Sequence, residues 1–425
     1  MERRDFLKTA GAAGAGAVVL PYVLPSGALS QPSANEATVR AVIGVGGMGS
    51  GHLGRLIERF QGQKDVRVGA VCDVHRGRME GALKRCLDAG ADTQGYTDFR
   101  EVLDRDDIDV VYVVTPPHWH ALISIAACQA GKDVYCEKPF TKFIAEGRAV
   151  AEAVGRYGRV LHIGTAGRYG HRAHRKLIAS GLLGAPVRVN MTHHMYNFKV
   201  KEWSGRTDLK PEPIPADFDW NTWLGPAPVK PHNTDRWNGG RFRGYWDYDG
   251  GGFSDMAAHF LDPVMYFMGY DDAGPVEIAA VAPWPAHPDA VGMWESITYT
   301  FADGNIIRCV SGEWGQADPP DIPWIEGPKG KVLQDGKTDP PGLFDQLGDV
   351  PEPPEMIGWE EAIVQRRQPG GNAWASHRVA SVLHLGNLAI RLGRKLKWDP
   401  DQEQFIGDEQ ANQFVNIPMR APWRL

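Results

Sequence analysis

Asp255, His259 and Asp262 stand at offsets of four and three in the stretch GGGFSDMAAHFLDPVMYFMG, residues 250–269. If residues from about 253 onward are helical, these polar side chains share one face, while Met256, Phe260, Val264 and Phe267 line another. The glycines in front let backbone pass close to a ligand. An imidazole titrates near neutrality and can take a proton from a hydroxyl, with a carboxylate to orient it or to grip a neighbouring hydroxyl. Far upstream, Cys136-Glu137-Lys138-Pro139 supplies an ammonium that could stabilise a developing alkoxide. Proton abstraction from a hydroxyl beside a charge stabiliser is the chemistry these residue types suit.

Deprotonation alone needs no electron acceptor, but oxidation of the same carbinol would, and a third motif points to one. Val39 to Ile43 is a β-rich run ending at Gly44-x-Gly46-x-x-Gly49, after which Leu53, Leu56, Ile57 and Phe60 recur at helical spacing. Strand, glycine turn and helix in that order are the context of a dinucleotide site, with pyrophosphate at the helix N-terminus. Gly44, Gly46, Gly47, Met48 and Gly49 would face it. A second strand, Val66 to Cys72, ends at Asp73, near the usual spacing for an acid that binds ribose hydroxyls, so NAD is favoured over NADP. Arg76 and Arg78 keep NADP as the minority option.

Strands and helices then alternate. The apolar run Val110 to Val114 suits a strand buried on both faces. It ends in Thr115-Pro116-Pro117-His118-Trp119-His120, where Thr115, Pro116 and His120 are candidates to line the cofactor. The His-x-His pair could instead bind zinc, but no matching Cys or carboxylate spacing lies nearby. Another strand, Asp133 to Cys136, delivers Glu137 and Lys138 to the same sheet end. The pattern predicts an α/β chain: a doubly wound parallel Rossmann sheet over residues 38–165, then an α+β domain over 166–425.

In type and order these motifs resemble the Gfo/Idh/MocA family, the glucose-fructose oxidoreductase and inositol dehydrogenase group, over most of the chain after about Thr38. The resemblance implies an NAD-dependent oxidoreductase acting on a sugar, polyol or glycoside hydroxyl by hydride transfer. It places Lys138, Asp255 and His259 together at the nicotinamide, with Glu137 and Lys138 beside the cofactor, and a cis bond before Pro139. Arg168, Tyr245 and Trp246 join Lys138, Asp255 and His259 as expected substrate residues. Two alternatives are a glycoside hydrolase that oxidises and re-reduces its substrate on a retained NAD, and a non-catalytic sugar or dinucleotide sensor.

At 425 residues the chain exceeds what one core usually supports. A net charge of −6 offers no basic surface for nucleic acid, and no apolar run reaches a membrane span. Tryptophan is enriched, with 14 residues mostly beyond position 200, which suits a heavy aromatic core or stacking on sugar rings. The five cysteines lack framework spacing and read as reduced, buried thiols. Residues 1–37 read as a twin-arginine signal, Arg3-Arg4-Asp5-Phe6-Leu7-Lys8, with an Ala/Gly-rich apolar run and a linker; a periplasmic or otherwise exported protein follows, with no stable membrane insertion after processing.

The second domain is predicted to carry strands at Val187 to Thr192, Val276 to Ala282, Glu295 to Phe301 and Ile306 to Ser311, the last two joined by the hairpin signal Ala302-Asp303-Gly304-Asn305. An open, mostly antiparallel sheet would result, whose free face favours homo-oligomers. The Trp- and Pro-rich stretch from Tyr196 to Asp249 is expected to wall the substrate pocket, and residues 315–358 to form another long loop.

Overall fold

The computed structural model describes residues 37–165 and 167–425. The twin-arginine signal therefore lies outside the described residues.

Six strands form a parallel sheet: β1 (Thr38–Ile43), β2 (Val66–Cys72), β3 (Gln94–Tyr96), β4 (Val110–Val113), β5 (Asp133–Cys136) and β6 (Leu161–Ile163). Their order is β3-β2-β1-β4-β5-β6. β1 and β4 are fully buried; β4 accordingly reads as an unbroken apolar run, while β1 carries Arg40, whose guanidinium is paired with Glu360. Helices cross between the strands, namely α1 (Gly47–Gly62), α2 (Arg76–Asp88), α3 (Phe99–Leu103), α4 (His120–Gln129) and α5 (Ile144–Tyr157). The chain reverses direction across the sheet between β1 and β4, and a crevice opens there at the strands' C-terminal ends.

After α6 (Arg172–Ser180) a second sheet follows. It is built from β7 (Arg188–Met191), β8 (Glu277–Val281), β9 (Ser296–Thr300), β10 (Ile306–Val310), β11 (Ile325–Gly327), β12 (Gly330–Val332), β13 (Thr338–Asp339), β14 (Leu396–Asp399) and β15 (Gln404–Phe405). Its order is β13-β12-β11-β7-β10-β9-β8-β14-β15, antiparallel throughout except for β7 beside β10. Ile297, Tyr299, Ile307 and Cys309 point inward and are fully buried, while Thr298, Thr300, Ile306 and Arg308 on the opposite side are half-buried.

Two long helices pack in that core: α9 (Gly251–Met268) and α11 (Ala373–Leu392), the latter following α10 (Trp359–Gln365). α11 also packs along α5, putting Ala373 and Ala380 into the apolar cluster of the first sheet, and so ties the two sheets together. Asn372 caps its start by accepting from the N–H groups of Trp374 and Ala375.

Residues 205–244, which include α7 (Trp220–Leu224) and α8 (Thr234–Trp237), form a strap over the crevice. The Arg76 N–H donates to the Asp217 carbonyl (2.7 Å) and the Asp219 N–H to the Val74 carbonyl (3.0 Å), which fastens the strap to the loop after β2. Trp119 Nε1 donates to the Trp223 carbonyl (3.1 Å). Phe218, Trp220, Trp223, Trp237, Tyr245 and Tyr248 make a small core of their own, with Trp220 and Trp223 stacked 4.7 Å apart. The tryptophans of this segment serve packing first.

Candidate active site

The crevice encloses about 710 Å³, a volume of cofactor-site size, and runs from the glycine turn to the start of α9. Its floor is the turn after β1. Gly44 sits at φ +89°, and a side chain there would meet the Val114 carbonyl at 2.7 Å. A Cβ on Gly49 would strike the Gly44 carbonyl, so both positions require glycine. Gly46 caps α1, and Gly44, Gly46, Gly47 and Met48 line the crevice under the unsatisfied N–H groups of that helix; Gly49 packs beneath rather than lining it. The Asp73 carboxylate accepts the N–H groups of Val45 (3.0 Å) and His75 (2.9 Å) and borders the cavity. Burial pushes its pKa up, against those two bonds and the nearby Arg78. Thr115 and Pro116 lie in the wall, and Thr115 Oγ1 is buried with no partner among the described residues. A turn that tolerates no Cβ, open helix N–H groups, a carboxylate at the end of β2 and an orphaned hydroxyl together fit a dinucleotide.

At the inner end, β5 delivers Glu137 and Lys138, followed by a cis peptide bond to Pro139. Glu137 bonds His52 Nε2 (2.8 Å) and also accepts the Lys138 N–H (3.2 Å). Burial raises the Glu137 pKa, but His52 and Lys138 outweigh it and hold the carboxylate below its usual range. Lys138 Nζ donates to the Asp255 side chain (2.7 Å) and to the Asp255 carbonyl (3.1 Å). Arg243 Nε reaches the same Asp255 oxygen at 2.7 Å. Burial works against the Asp255 carboxylate, yet the two cations keep its pKa low. Asp249 stands beside them. One of its oxygens accepts the Gly250 N–H (2.7 Å), the other has no partner, and burial reinforced by Asp255 pushes its pKa up to about 7.

His259 follows Asp255 by one helical turn and is half-buried, with no hydrogen-bond partner among the described residues. Burial and the Lys138 charge lower its pKa against the pull of Asp255, so the ring is neutral at neutral pH. Pro263, inside α9, has no N–H to give the His259 carbonyl, and Gly167 packs against both.

Several expectations are corrected. Asp255 makes no hydrogen bond to His259 among the described residues; one of its oxygens is taken by both Lys138 and Arg243. Arg168 is 1% exposed and locked to Asp262 (2.5 Å) and Asp271 (3.1 Å), a buried brace rather than a substrate ligand. Asp262, which also accepts from Thr165 Oγ1 (2.8 Å), belongs to that brace. Tyr245 and Trp246 are buried in packing and do not line the crevice. His120 is likewise absent from the wall: its ring nitrogens face the carbonyls of Pro139 (2.9 Å) and Thr115 (2.7 Å), so it holds the two wall segments together. His118 faces the Trp223 carbonyl (2.9 Å), leaving this pair turned toward backbone rather than a metal. Residues that sequence reasoning missed are His52, Arg243 and Asp249. Arg243 and Asp249 flank the stretch just before the glycines, which was the one available signal for them.

A parallel sheet with a nucleotide crevice at its switch point defines a protein of the dinucleotide-binding class. Residues 40–165 match "Oxidoreductase family, NAD-binding Rossmann fold", and residues 170–425 match "Oxidoreductase family, C-terminal alpha/beta domain". The chain belongs to the Gfo/Idh/MocA oxidoreductase family. Residues 1–19 match the twin-arginine translocation pathway signal sequence, which directs export. Inositol 2-dehydrogenase of Salmonella paratyphi B is 34% identical over 156 residues, 36% of this chain and 45% of that protein. A glycosyl hydrolase family 109 protein of Shewanella baltica is 32% identical over 165 residues, 34% of this chain and 35% of that protein. The chain thus spans less than half the length of these curated relatives. The fold is shared with the WlbA dehydrogenase of Bordetella pertussis, solved with NADH and UDP-GlcNAcA, at a TM-score of 0.56 and 16% identity, covering 86% of this chain and 99% of that one.

Proposed function

We propose that the protein is an NAD-dependent oxidoreductase that acts on a hydroxyl of a sugar, polyol or glycoside in the periplasm. The observation that carries this reading is the Lys138–Asp255–Arg243 cluster at the inner end of the crevice. NAD, when bound, supplies the hydride acceptor. Gly44, Gly46, Gly47 and Met48 would hold its pyrophosphate, Asp73 its adenosine ribose. Lys138 has three N–H donors, of which Asp255 takes two, leaving one for a substrate oxygen. That donor stabilises the oxygen as it loses its proton, and Asp255 keeps the ammonium aimed. His259, neutral, with no hydrogen-bond partner among the described residues and one helical turn from Asp255 though not itself lining the crevice, takes the hydroxyl proton.

The test is a screen of sugars, polyols and glycosides on one purified sample, followed for nicotinamide absorbance and for glycoside cleavage. Lys138→Met and His259→Ala should each reduce turnover about 10²-fold or more with NAD still bound. Normal turnover in either variant removes that residue from the mechanism.

The strap favours a second reading, in which NAD is retained and re-reduces what it oxidised, so that net chemistry is redox-neutral or hydrolytic. Its residues Phe218, Trp223, Trp237 and Phe242 line the crevice opposite the glycine turn. Arg78 closes the gap between the two walls by bonding Asn238 Oδ1 (3.0 Å) and lying over Trp237. The glycosyl hydrolase family 109 relative is in keeping with that reading.

A further inference from the structure

A second, much smaller cavity of about 30 Å³ lies behind Asp249, between the approach to α5, the first turn of α9 and the end of α11. Two cations line it. Lys142 makes no side-chain hydrogen bond or ion pair among the described residues, and neither does Arg391. Arg391 instead lies over the rings of Trp246 (4.9 Å) and Phe414 (4.7 Å). Burial, then the Arg391 charge, lowers the Lys142 pKa to about 8.

Both are half-buried, and like charges sharing one small cavity without a paired counter-ion repel each other. The acids nearby do not supply one. Asp247 is reached by Lys230 (3.4 Å). Glu146 accepts the Lys142 backbone N–H (2.7 Å), and burial pushes its pKa up to about 8, so it is mostly neutral at pH 7. Asp249 sits at about 7 and is at most half ionised there. The cavity wall therefore carries net positive charge.

We propose that this cavity binds one small monovalent anion of chloride size, held between Lys142 Nζ and the Arg391 guanidinium. The volume holds a monatomic ion or one to two waters and is too small for a phosphate ester. Such an ion neutralises both cations and fixes α11 against the first turn of α9, immediately behind the Asp249 carboxyl.

Crystals of the full chain soaked in sodium bromide test this by anomalous scattering at the bromine edge. A peak touching Lys142 and Arg391, absent from Lys142→Met crystals, is the expected result; water density with no anomalous signal in the unsubstituted protein overturns the proposal. In solution, sodium chloride should raise the melting temperature by a saturating increment of about 1–2 °C over sodium isethionate at equal ionic strength. Isethionate is too large for the cavity, so equal melting in the two salts also overturns it. That comparison needs no variant, and a Lys142→Met chain that fails to fold does not shield the proposal.

Discussion

Asp255 carries two cations on one oxygen, and that arrangement decides what its neighbours can do. With Lys138 and Arg243 both engaged, the remaining carboxylate near the reacting end is Asp249. Its folded-state pKa of about 7 lies above the ordinary value of 3.8. The native state thus holds a proton that the unfolded chain has already released, and stability falls as pH rises from about 4 through 7. Asp249→Asn keeps the oxygen that accepts the Gly250 N–H but removes this loss, so its melting temperature relative to the parent should be higher at pH 8 than at pH 5. A constant difference across that range would contradict the assignment. Asp73→Ala should weaken NAD binding and narrow its advantage over NADP, measured by titration calorimetry with both nucleotides; unchanged affinities sink the ribose assignment. Lys138 and Asp255 were legible from their motifs. Arg243 was not assigned a role because its meaning depends on a fold-back that no local period encodes, and His52 reads as an ordinary residue in a helical run until β5 brings Glu137 against it.

The elements that the sequence resolved best are those whose burial is simplest. β2 and β5 were placed to the residue, and the hairpin between β9 and β10 follows from its Asp-Gly-Asn turn. Residues 315–358 were expected to be loop, yet they hold β11, β12 and β13; strands of two or three residues bury too few side chains to show alternation. α11 begins at Ala373, where Asn372, after a glycine pair, caps it. Arg168 was misjudged because a lone Arg after β6 gives no hint that Asp262 and Asp271 converge on it. At this scale Gly44→Ala is the sharpest test of the turn. Its positive φ and the opposing Val114 carbonyl both resist a side chain, and a loss of about 1–3 kcal/mol is expected in thermal or urea unfolding. Wild-type stability in that variant would mean that the turn can relax.

For the whole molecule, the strap joined to the export signal leads to a statement about the cofactor's history. Protein purified without added nucleotide should release NAD(H) on denaturation and should work with none supplied. Empty protein that accumulates NADH in step with product would falsify retention and leave an ordinary dehydrogenase. The outer face of the second sheet, with Thr298, Thr300, Ile306 and Arg308 half-buried, is the surface we propose for homo-oligomers, and a monomer at micromolar concentration by light scattering contradicts it.

The strap has a further consequence, for the timing of assembly. The glycine turn and Asp73 emerge early in synthesis, but the roof above them is made of residues 217–243, and it is pinned by Arg420, whose guanidinium bonds the Gly225 carbonyl (2.8 Å) and Asn221 Oδ1 (2.7 Å). The bonds from the strap to the loop after β2 can form as soon as the strap is made, but the Arg420 clasp waits for a residue 195 positions beyond the Gly225 it holds, so the roof is completed in two stages.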